Sequence, residues 1–480
     1  MSETPRAQAT DAIRHADILI VGGGLSGAML AAQLLRLPGK RSVLVIEPRA
    51  ELGRGEAYSA VELGHTLNGN AARMSVDPDN ADDLTQWLTE HIEAGGWPES
   101  DQQHVPISEL FPPRGLFGVY VQQRLREAQA VGALNGSTVE HVRAEVVDLE
   151  TLDDSVRLTL SDGQRLQGAY AVLATGMFPA ARTPQTQSSG VNAAALDPWD
   201  VAAMRQLDPQ STVLIIGSGL TMVDAVVSLE QAGHRGPINV FSRHGLLPHV
   251  RRQPPAWVDF LAEDATLRTP RQLVRELRRH CRDAIARGID WQAPLDTVRA
   301  HIGRLWNQAT DAQRRQFVRH VRPWWESHHH RSPPLSAELV ARLHGEGRLH
   351  IEAASFKGLA PSTHGDNVSL YIRRRGEAET SVVSGAALIN SSGIEYDWRR
   401  VARPLPRQLL ARGLIQPGPL ALGIAAAADG AVMDAKGDVS DRLFAMGPPL
   451  RGMWWESTAV TDVASQAKAL ATRLTKPCSH

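Results

Sequence analysis

Short apolar runs that end in glycine-rich turns dominate the hydrophobic pattern of this chain. The run ILIV at residues 18–21 precedes GGGLSG at 22–27, and the run VLII at 213–216 precedes GSGLTM at 217–222. Residues at helical spacing follow each turn, and the order strand, glycine turn, helix predicts a unit whose turn approaches a phosphate. Two such units predict an α/β protein with two Rossmann-like dinucleotide-binding domains.

The first turn has each feature expected of a dinucleotide site. Gly22 permits the tight turn, Gly24 lets the backbone approach a pyrophosphate, and Gly27 lets helix and strand pack closely. A second apolar run at 43–46 ends in Glu47, which lies 20 residues after Gly27, where a carboxylate accepts hydrogen bonds from ribose hydroxyls. We expect FAD here, and the alternative is an ordinary βαβ unit with a glycine turn.

The second turn departs from this pattern. Gly217 and Gly219 are present, but Met222 replaces the third glycine, so helix and strand are expected to lie slightly further apart. No acid follows the next apolar run at 238–241, where Ser242 is followed by Arg243. Because an arginine there can hold a ribose 2′-phosphate, we expect NADPH or both nicotinamides as co-substrate. The alternative is a unit that holds no nucleotide.

Composition narrows the class of protein. The 480 residues suffice for two or three domains, and a net charge of −1 gives no field to recruit nucleic acid or a membrane surface. The two cysteines, Cys281 and Cys478, form no CxxC pair, which argues against a disulfide reductase. The polar N-terminal segment has no apolar signal core, and no run approaches the roughly 20 apolar residues of a membrane helix, so a cytoplasmic protein is expected. Its oligomeric state stays open.

The hydrophobic pattern also predicts how the chain is organised. We expect the FAD-binding domain to comprise residues 17–205 and 385–480, and the NAD(P)-binding domain residues 206–384 with a helical insertion at about 256–334. Strands are predicted at 143–149, 156–160, 169–176, 367–372 and 386–393, and a helix at 460–470. The run at 169–176 ends in small residues that finish at Gly176, which permits close approach of a ligand.

An arginine-rich stretch lies inside the predicted insertion. Residues 268–331 hold 14 arginines, no lysine and 6 acids. Helical spacing there relates two sets of apolar residues: Val274, Leu277, Cys281 and Ile285, then Val298, Ile302 and Leu305. A basic helical face of this kind attracts phosphates or an anionic substrate, and the alternative is a solvated lid without a ligand.

The order of motifs resembles a known family. GGGLSG, Glu47, GRGEAY at 53–58, LNGNAARM at 67–74, LATGMFP, GSGLTMVDA, SRHGLLP, LINSSG and GPPLRGMWWESTAV follow one another over residues 17–470. This order is similar to that of the FAD/NAD(P)-binding monooxygenases that include bacterial FAD-dependent urate hydroxylases and nitrosuccinate-forming aspartate monooxygenases.

The resemblance implies that NADH or NADPH reduces FAD and that O₂ then donates an oxygen atom to a small substrate. Urate, an electron-rich anion, is the favoured substrate, with 5-hydroxyisourate as product in purine catabolism. N-hydroxylation of an amino acid and NAD(P)H:flavin electron transfer are the alternatives.

Five further residues are candidates for the site. Arg54 and Tyr58 flank the flavin or simply form a loop. Arg114 holds a phosphate or the substrate anion, unless it is an ordinary surface arginine. Gly447 and Arg451 lie in the stretch that, by resemblance, faces the isoalloxazine, and core packing is the alternative for the tryptophans that follow. Arg114 and Arg451 are the predicted substrate anchors.

Three consecutive histidines, His328, His329 and His330, follow two tryptophans. Neighbouring residues point in different directions in a helix or strand, and no spaced histidine or cysteine completes a zinc set. We therefore expect no metal site, and a role in a lid over the substrate is the remaining functional interpretation.

Overall fold

The computed structural model describes residues 13–98, 100, 104–179, 195–262, 269–361 and 368–476. Cys478 and most of the polar N-terminal segment lie outside these ranges. The strands are β1 (Arg14–Val21), β2 (Ser42–Ile46), β3 (Thr138–Val142), β4 (Val146–Thr151), β5 (Val156–Leu160), β6 (Arg165–Leu173), β7 (Phe178–Pro179), β8 (Val213–Ile216), β9 (Ile238–Ser242), β10 (Leu349–Ala360), β11 (Val368–Arg374), β12 (Ser381–Gly385), β13 (Ala387–Asn390), β14 (Ile394–Glu395), β15 (Ala431–Met433) and β16 (Val439–Ala445).

Thirteen α-helices are present in the described residues. They are α1 (Leu25–Arg36), α2 (Asp83–Glu93), α3 (Arg114–Leu134), α4 (Val201–Met204), α5 (Leu220–Gln231), α6 (Pro270–Ala286), α7 (Gln292–Arg299), α8 (Ile302–Gln308), α9 (Asp311–Gln316), α10 (Arg322–His329), α11 (Pro334–Gly345), α12 (Pro404–Ala411) and α13 (Val460–Leu474). A π-helical turn, Phe317–Val321, joins α9 to α10. The two sheets and their helices confirm the predicted α/β class.

The first sheet has the strand order β15-β16-β6-β1-β2-β3, and β4 and β5 extend it from β6. Strand β1 runs parallel to β2 and to β6, with Ile20 level with Val45 and Val172. The pairing of β16 with β6 brings a segment from near the end of the described chain into a sheet that begins at residue 14.

Helix α1 forms where the sequence predicted it, because its apolar residues recur on the face turned toward the sheet. Met29, Leu30, Leu34 and Leu35 are each at most 3% exposed and belong to the core between the sheet, α3 and α13. This packing places the amino end of α1 at the carboxyl edge of the sheet, where ligands bind in open α/β sheets.

The second sheet has the order β12-β11-β10-β9-β8-β13. Its four strands β10, β9, β8 and β13 are parallel, and β11 and β12 continue it as an antiparallel hairpin. Helix α5 packs on the parallel part. The chain passes from the first sheet to the second through β7 and returns through β14. These two strands pair antiparallel, so the two connections lie side by side.

The arginine-rich stretch is helical, from α6 to α10, but two details of the predicted pattern are wrong. Ile285 is 60% exposed, so the apolar face of α6 ends before it. Val298, Ile302 and Leu305 do not share one helix, because the chain breaks between α7 and α8 at Ala300 and His301. Among the described residues, no helix is both long and apolar enough to span a membrane.

Candidate functional site

The first glycine turn has geometry that only glycine supplies. Gly22 has φ of +105°, and a Cβ there would lie 2.4 Å from the carbonyl oxygen of Ala174. A Cβ on Gly27 would lie 1.9 Å from the carbonyl oxygen of Gly22. These contacts fix the turn tightly against β6 and α1, in the roles expected of Gly22 and Gly27.

Gly24 stands at the amino end of α1 and makes no side-chain cap, so the first N–H groups of the helix remain available as donors. The backbone of Gly55 faces it, with a Cβ on Gly24 reaching ordinary contact at 3.4 Å from Gly55 Cα. Two glycines that face each other at an uncapped helix end form a cradle suited to a pyrophosphate. The residues present therefore fit FAD.

Glu47 directly follows the last residue of β2 and is 4% exposed. Its Oε2 accepts a hydrogen bond of 2.9 Å from the N–H of Gly23, and its Oε1 accepts from Arg49. A carboxylate has about four acceptor positions, so Glu47 retains capacity for ribose hydroxyls while the turn orients it.

Arg54 and Tyr58 lie in the loop that covers this turn. The Arg54 guanidinium pairs with Glu51 at 2.9 Å, and the Tyr58 ring packs on Phe117 at 4.7 Å between centroids. Burial raises the pKa of Tyr58 to about 12, so its hydroxyl stays protonated. Their contacts hold the loop onto α3, and a contact with the flavin stays a prediction.

Gly447 follows β16 and reaches the amino end of α1. It has φ of +70°, its N–H donates to Gln466 Oε1 at 2.9 Å, and a Cβ would lie 2.5 Å from Ser26 Oγ. Gly176, with φ of +69°, follows β6 and has open space on its Cβ side. Both glycines thus end strands at the edge that carries the first turn.

The second turn repeats the first in part. Gly217 has φ of +99° and lies against the Ser391 carbonyl, while a Cβ on Gly219 would meet nothing within 4 Å. Helix α5 starts there without a side-chain cap. Met222 is fully buried in the core under this sheet, so the position of the third glycine is filled by a packed side chain.

Arg243 follows β9 and is exposed. Its neighbour His244 has a lowered pKa because of partial burial and the positive charges of Arg243 and Arg375. Arg375 lies just beyond β11 and is also exposed. Sequence analysis missed Arg375, since only the sheet register brings it near the end of β9.

Arg114 begins α3 and links the two dinucleotide units. Its guanidinium pairs with Asp224 of α5 at 2.7 Å and donates to the Thr66 carbonyl at 3.1 Å. His65 contacts Ser228 Oγ at 2.7 Å beside this pair. These contacts place Arg114 at the junction between the units, and its role as a substrate anchor stays a prediction.

Arg451 is 2% exposed and lies in the turn after β16. Its guanidinium carbon stands 4.2 Å from the centre of the Trp455 ring, and it donates to the Trp455 carbonyl. Glu326 of α10 lies 3.7 Å away, while the Arg451 Nε has no hydrogen-bond partner in the described residues. Trp455 itself is 1% exposed and packs on Trp306 and Phe317.

The three histidines point to different partners. His328 contacts the Trp324 carbonyl, His329 lies 3.5 Å from Glu456, and His330 lies 3.1 Å from Glu326. Burial lowers the pKa of His329 to about 4, so this imidazole is neutral at pH 7. The run therefore joins α10 to the segment that carries Arg451.

A buried arginine cluster lies where the loop after Asn68, the loop after β9 and α10 meet. Arg331 is fully buried and donates to Asp296 at 2.7 Å, and Arg73 contacts the same carboxylate at 3.2 Å. Arg251 is 8% exposed and donates to the Asn68 carbonyl at 2.8 Å. Arg331 and Arg73 thus share one carboxylate, and the Arg251 guanidinium lies beside them.

The charge in this buried arginine cluster is uncompensated. Burial, with Arg331 and Arg73 close by, lowers the pKa of Arg251 to about 9, and burial also lowers the pKa of Arg331. Arg331 Nη1 and Asn70 Oδ1 are buried there without hydrogen-bond partners in the described residues. Within this part of the structure Arg331 Nη1 is a free donor and Asn70 Oδ1 a free acceptor, and excess positive charge beside a free guanidinium donor is an arrangement that binds an anion. Sequence analysis missed the cluster, because arginines so far apart in the chain carry no pattern.

Comparison with known proteins shows what this geometry is similar to. Residues 19–178 match the sequence model of the FAD-NAD(P)-binding family. This part of the chain is therefore similar to FAD-NAD(P)-binding domains. Its cofactors are FAD and a nicotinamide dinucleotide, in agreement with the glycine cradle and Glu47.

Solved structures with the same fold cover nearly the whole chain. An ornithine N-hydroxylase from Kutzneria sp. 744 matches with a TM-score of 0.63 and 14% identity over 96% of this chain and 99% of that one. A cadaverine monooxygenase from Erwinia amylovora, solved with FAD, matches with a TM-score of 0.63 and 11% identity over 97% and 95%. At these identities the likeness establishes the fold.

One curated relative aligns with part of the chain. It is a chloroplastic zeaxanthin epoxidase from Prunus armeniaca, 27% identical over 194 residues. The alignment covers 38% of this chain and only 28% of the relative's length. The chain therefore spans less than a third of this relative's length.

Proposed function

We propose that this protein is a flavin-dependent NAD(P)H monooxygenase that acts on a small anionic substrate. The buried arginine cluster carries the proposal, because three guanidiniums and one carboxylate leave positive charge that a bound anion would compensate. FAD, when bound and reduced by NAD(P)H, supplies the activation of O₂. The chain's own residues bind and orient the substrate, and they exclude water from it.

Each part of the site has a task in this scheme. Gly24 and the amino end of α1 hold the FAD pyrophosphate, and Glu47 holds the ribose. Arg243 and Arg375 lie where a nicotinamide 2′-phosphate would be recognised. Arg331 and Arg251 hold the substrate anion by charge-assisted hydrogen bonds, and a precisely held substrate receives oxygen before the activated oxygen is lost as peroxide.

Urate remains our proposed substrate. It is an anion at neutral pH with an electron-rich ring, and the arginine cluster supplies the donors that its oxygens need. The expected product is 5-hydroxyisourate.

N-hydroxylation of an amino acid is the second candidate, favoured by the fold shared with ornithine and cadaverine hydroxylases. Those two substrates carry amines, whereas the buried arginine cluster repels a cation. An amino acid with an acidic side chain therefore suits this site better than ornithine.

A substrate panel tests the proposal. FAD-loaded protein is mixed with NADPH or NADH and with urate, aspartate, glutamate or ornithine, while nicotinamide oxidation, O₂ uptake, peroxide and product mass are followed. We expect an anionic compound to stimulate oxidation and to gain oxygen. Oxidation that no substrate changes would replace the proposal with an NAD(P)H:flavin electron-transfer activity, and hydroxylation of ornithine alone would refute the anionic substrate.

The variant Arg331→Gln completes the test. We expect the KM for the true substrate to rise by about tenfold to a hundredfold, from loss of a charged hydrogen bond of about 1.5–3 kcal/mol. Peroxide released per nicotinamide oxidised should rise as well. Arg252→Gln, at an exposed arginine paired with Asp290, is the matched control and should leave both values unchanged.

A further inference from the structure

A second positively charged site lies on α6, away from the buried arginine cluster. Positions 271, 275, 278 and 282 are spaced by four, three and four residues, which places their side chains on one helix face. All four are exposed arginines that line a groove of about 460 Å³. The opposite wall is formed by Gln316 at the end of α9 and by His320 and Val321 of the π-helical turn.

These four residues form an arginine stripe (Arg271, Arg275, Arg278 and Arg282), and none of them has an ion-pair partner among the described residues. Within the described residues, no carboxylate lies within ion-pair distance of any of the four, and no acidic residue lines the groove. The neighbouring Arg279 differs, because it pairs with Glu276 and Asp283. Thr269 caps the amino end of the helix with its own side chain, so the attraction for anions comes from the arginine side chains.

An apolar cleft continues from the groove into the protein. It shares Pro270, Val274 and Val321 with the groove, and its volume is about 110 Å³. Leu273, Leu277, Leu305, Trp306, Phe317 and Trp455 form most of its walls. Because Trp306 and Trp455 are 6% and 1% exposed, the cleft ends deep in the insertion.

We propose that the groove and the cleft together bind a single-chain amphiphilic anion, with its carboxylate or phosphate on the arginine stripe and its alkyl chain in the cleft. Charge complementarity selects the headgroup, and the aromatic walls select an apolar chain. A peptide suits the cleft poorly, because its backbone amides would find few hydrogen-bond partners among these walls. A bilayer suits it poorly as well, because the cleft lies inward between helices.

The chain end would contact Trp455, the ring that supports Arg451. Binding is therefore expected to change tryptophan emission, which makes the test direct. FAD-loaded full-length protein is titrated with dodecanoate and dodecyl phosphate below their micelle concentrations, by calorimetry and by fluorescence. Dodecanol, acetate and inorganic phosphate are the matched probes that lack the charge or the chain.

We expect both amphiphiles to bind with 1:1 stoichiometry and the matched probes to bind at least about tenfold more weakly, the effect of roughly 1.4 kcal/mol. The double variant Arg275→Gln/Arg278→Gln should weaken dodecanoate binding at least about tenfold, whereas Arg279→Gln, at an arginine that already pairs with two carboxylates and does not line the groove, should not. Leu277→Gln should weaken binding of the amphiphile and leave any binding of inorganic phosphate unchanged.

Five outcomes would overturn the proposal, and the first four concern dodecanoate and its competitors. These are no saturable dodecanoate binding, equal affinity for dodecanol, equal affinity for acetate, and tight retention on anionic phosphatidylglycerol vesicles that dodecanoate does not compete away. The last would indicate a membrane-surface site. An acidic peptide that binds the stripe without being displaced by dodecanoate would likewise replace the amphiphile with a protein partner.

Discussion

Replacing Arg251 with methionine should make the protein more stable and less active. Arg251 is 8% exposed, and the charged groups that act on it include Arg331, Arg73 and Arg299 against one carboxylate, Asp296. Methionine keeps most of the apolar stem and removes the buried charge. Replacing buried charges by apolar residues of similar volume often raises stability by about 1–4 kcal/mol.

The magnitude follows from the shift in pKa. Burial and the neighbouring arginines lower the pKa of Arg251 from 12.5 to about 9. At about 1.4 kcal/mol per unit, the charged form costs the folded state roughly 5 kcal/mol at pH 7, where Arg251 is still protonated. The hydrogen bond to the Asn68 carbonyl, 2.8 Å long, offsets about 1.5–3 kcal/mol of this. Arg251→Met should therefore raise the free energy of unfolding by about 2–3.5 kcal/mol.

The assay is urea unfolding of the FAD-loaded protein at pH 7.5, followed by flavin and tryptophan fluorescence, beside steady-state kinetics. Arg252→Met is the control, because Arg252 is an exposed arginine that pairs with Asp290, and such pairs contribute only about 0–1 kcal/mol. The substrate KM should rise at least about tenfold in Arg251→Met only. A variant that is destabilised, or one that keeps its substrate KM, would refute the anion-binding role of the cluster.

Three further predictions concern the cofactors and acid stability. Gly24→Val should lose FAD and keep its circular dichroism spectrum, since a Cβ at this position meets only Gly55, at 3.4 Å. Gly27→Ala should also lower the stability, because its Cβ would lie 1.9 Å from a carbonyl oxygen. Stoichiometric flavin retained in Gly24→Val would exclude the proposed cradle. Arg243→Ala should raise the KM for NADPH by a factor that corresponds to roughly 1–3 kcal/mol of lost binding free energy, and the KM for NADH should stay unchanged. An equal rise in both KM values would remove Arg243 from the phosphate site. His329, with a pKa of about 4, stays neutral in the folded state while unfolded chains take up a proton, so stability should fall by about 3 kcal/mol between pH 6.5 and 4. His329→Gln should flatten that part of the stability profile relative to His320→Gln at an exposed site, and an unchanged slope would contradict the assignment.

Local chemistry explains how much of this protein could be predicted. The glycine turns were predictable because a positive φ and contacts with backbone oxygens admit no side chain, and helix α1 because its buried stripe repeats every three or four residues. The break at Ala300 was not predictable, because apolar spacing continues across it. Ile285 was misassigned since helical spacing does not say where the neighbouring surface ends.

The candidate site divides in the same way. Glu47 lies at a fixed distance along the chain from its turn, whereas Arg73, Arg251 and Arg331 come from three separate segments. Arginine is usually exposed, so nothing in the sequence marks Arg331 as fully buried. The pairing of Arg114 with Asp224 was hidden for the same reason, since it depends on how two units meet.

The pairing of β7 with β14 and of β16 with β6 has a consequence for synthesis on the ribosome. The second sheet is encoded within residues 213–390, so all its strands emerge in one continuous stretch. The first sheet starts at residue 14, but β16, which pairs with β6 through residues 443–445, is the last of the partners of β6 to emerge. Domains usually fold as they emerge, N-terminal first. Here the second sheet should be complete before the first. The first sheet keeps an open edge at β6 until β16 has been synthesised.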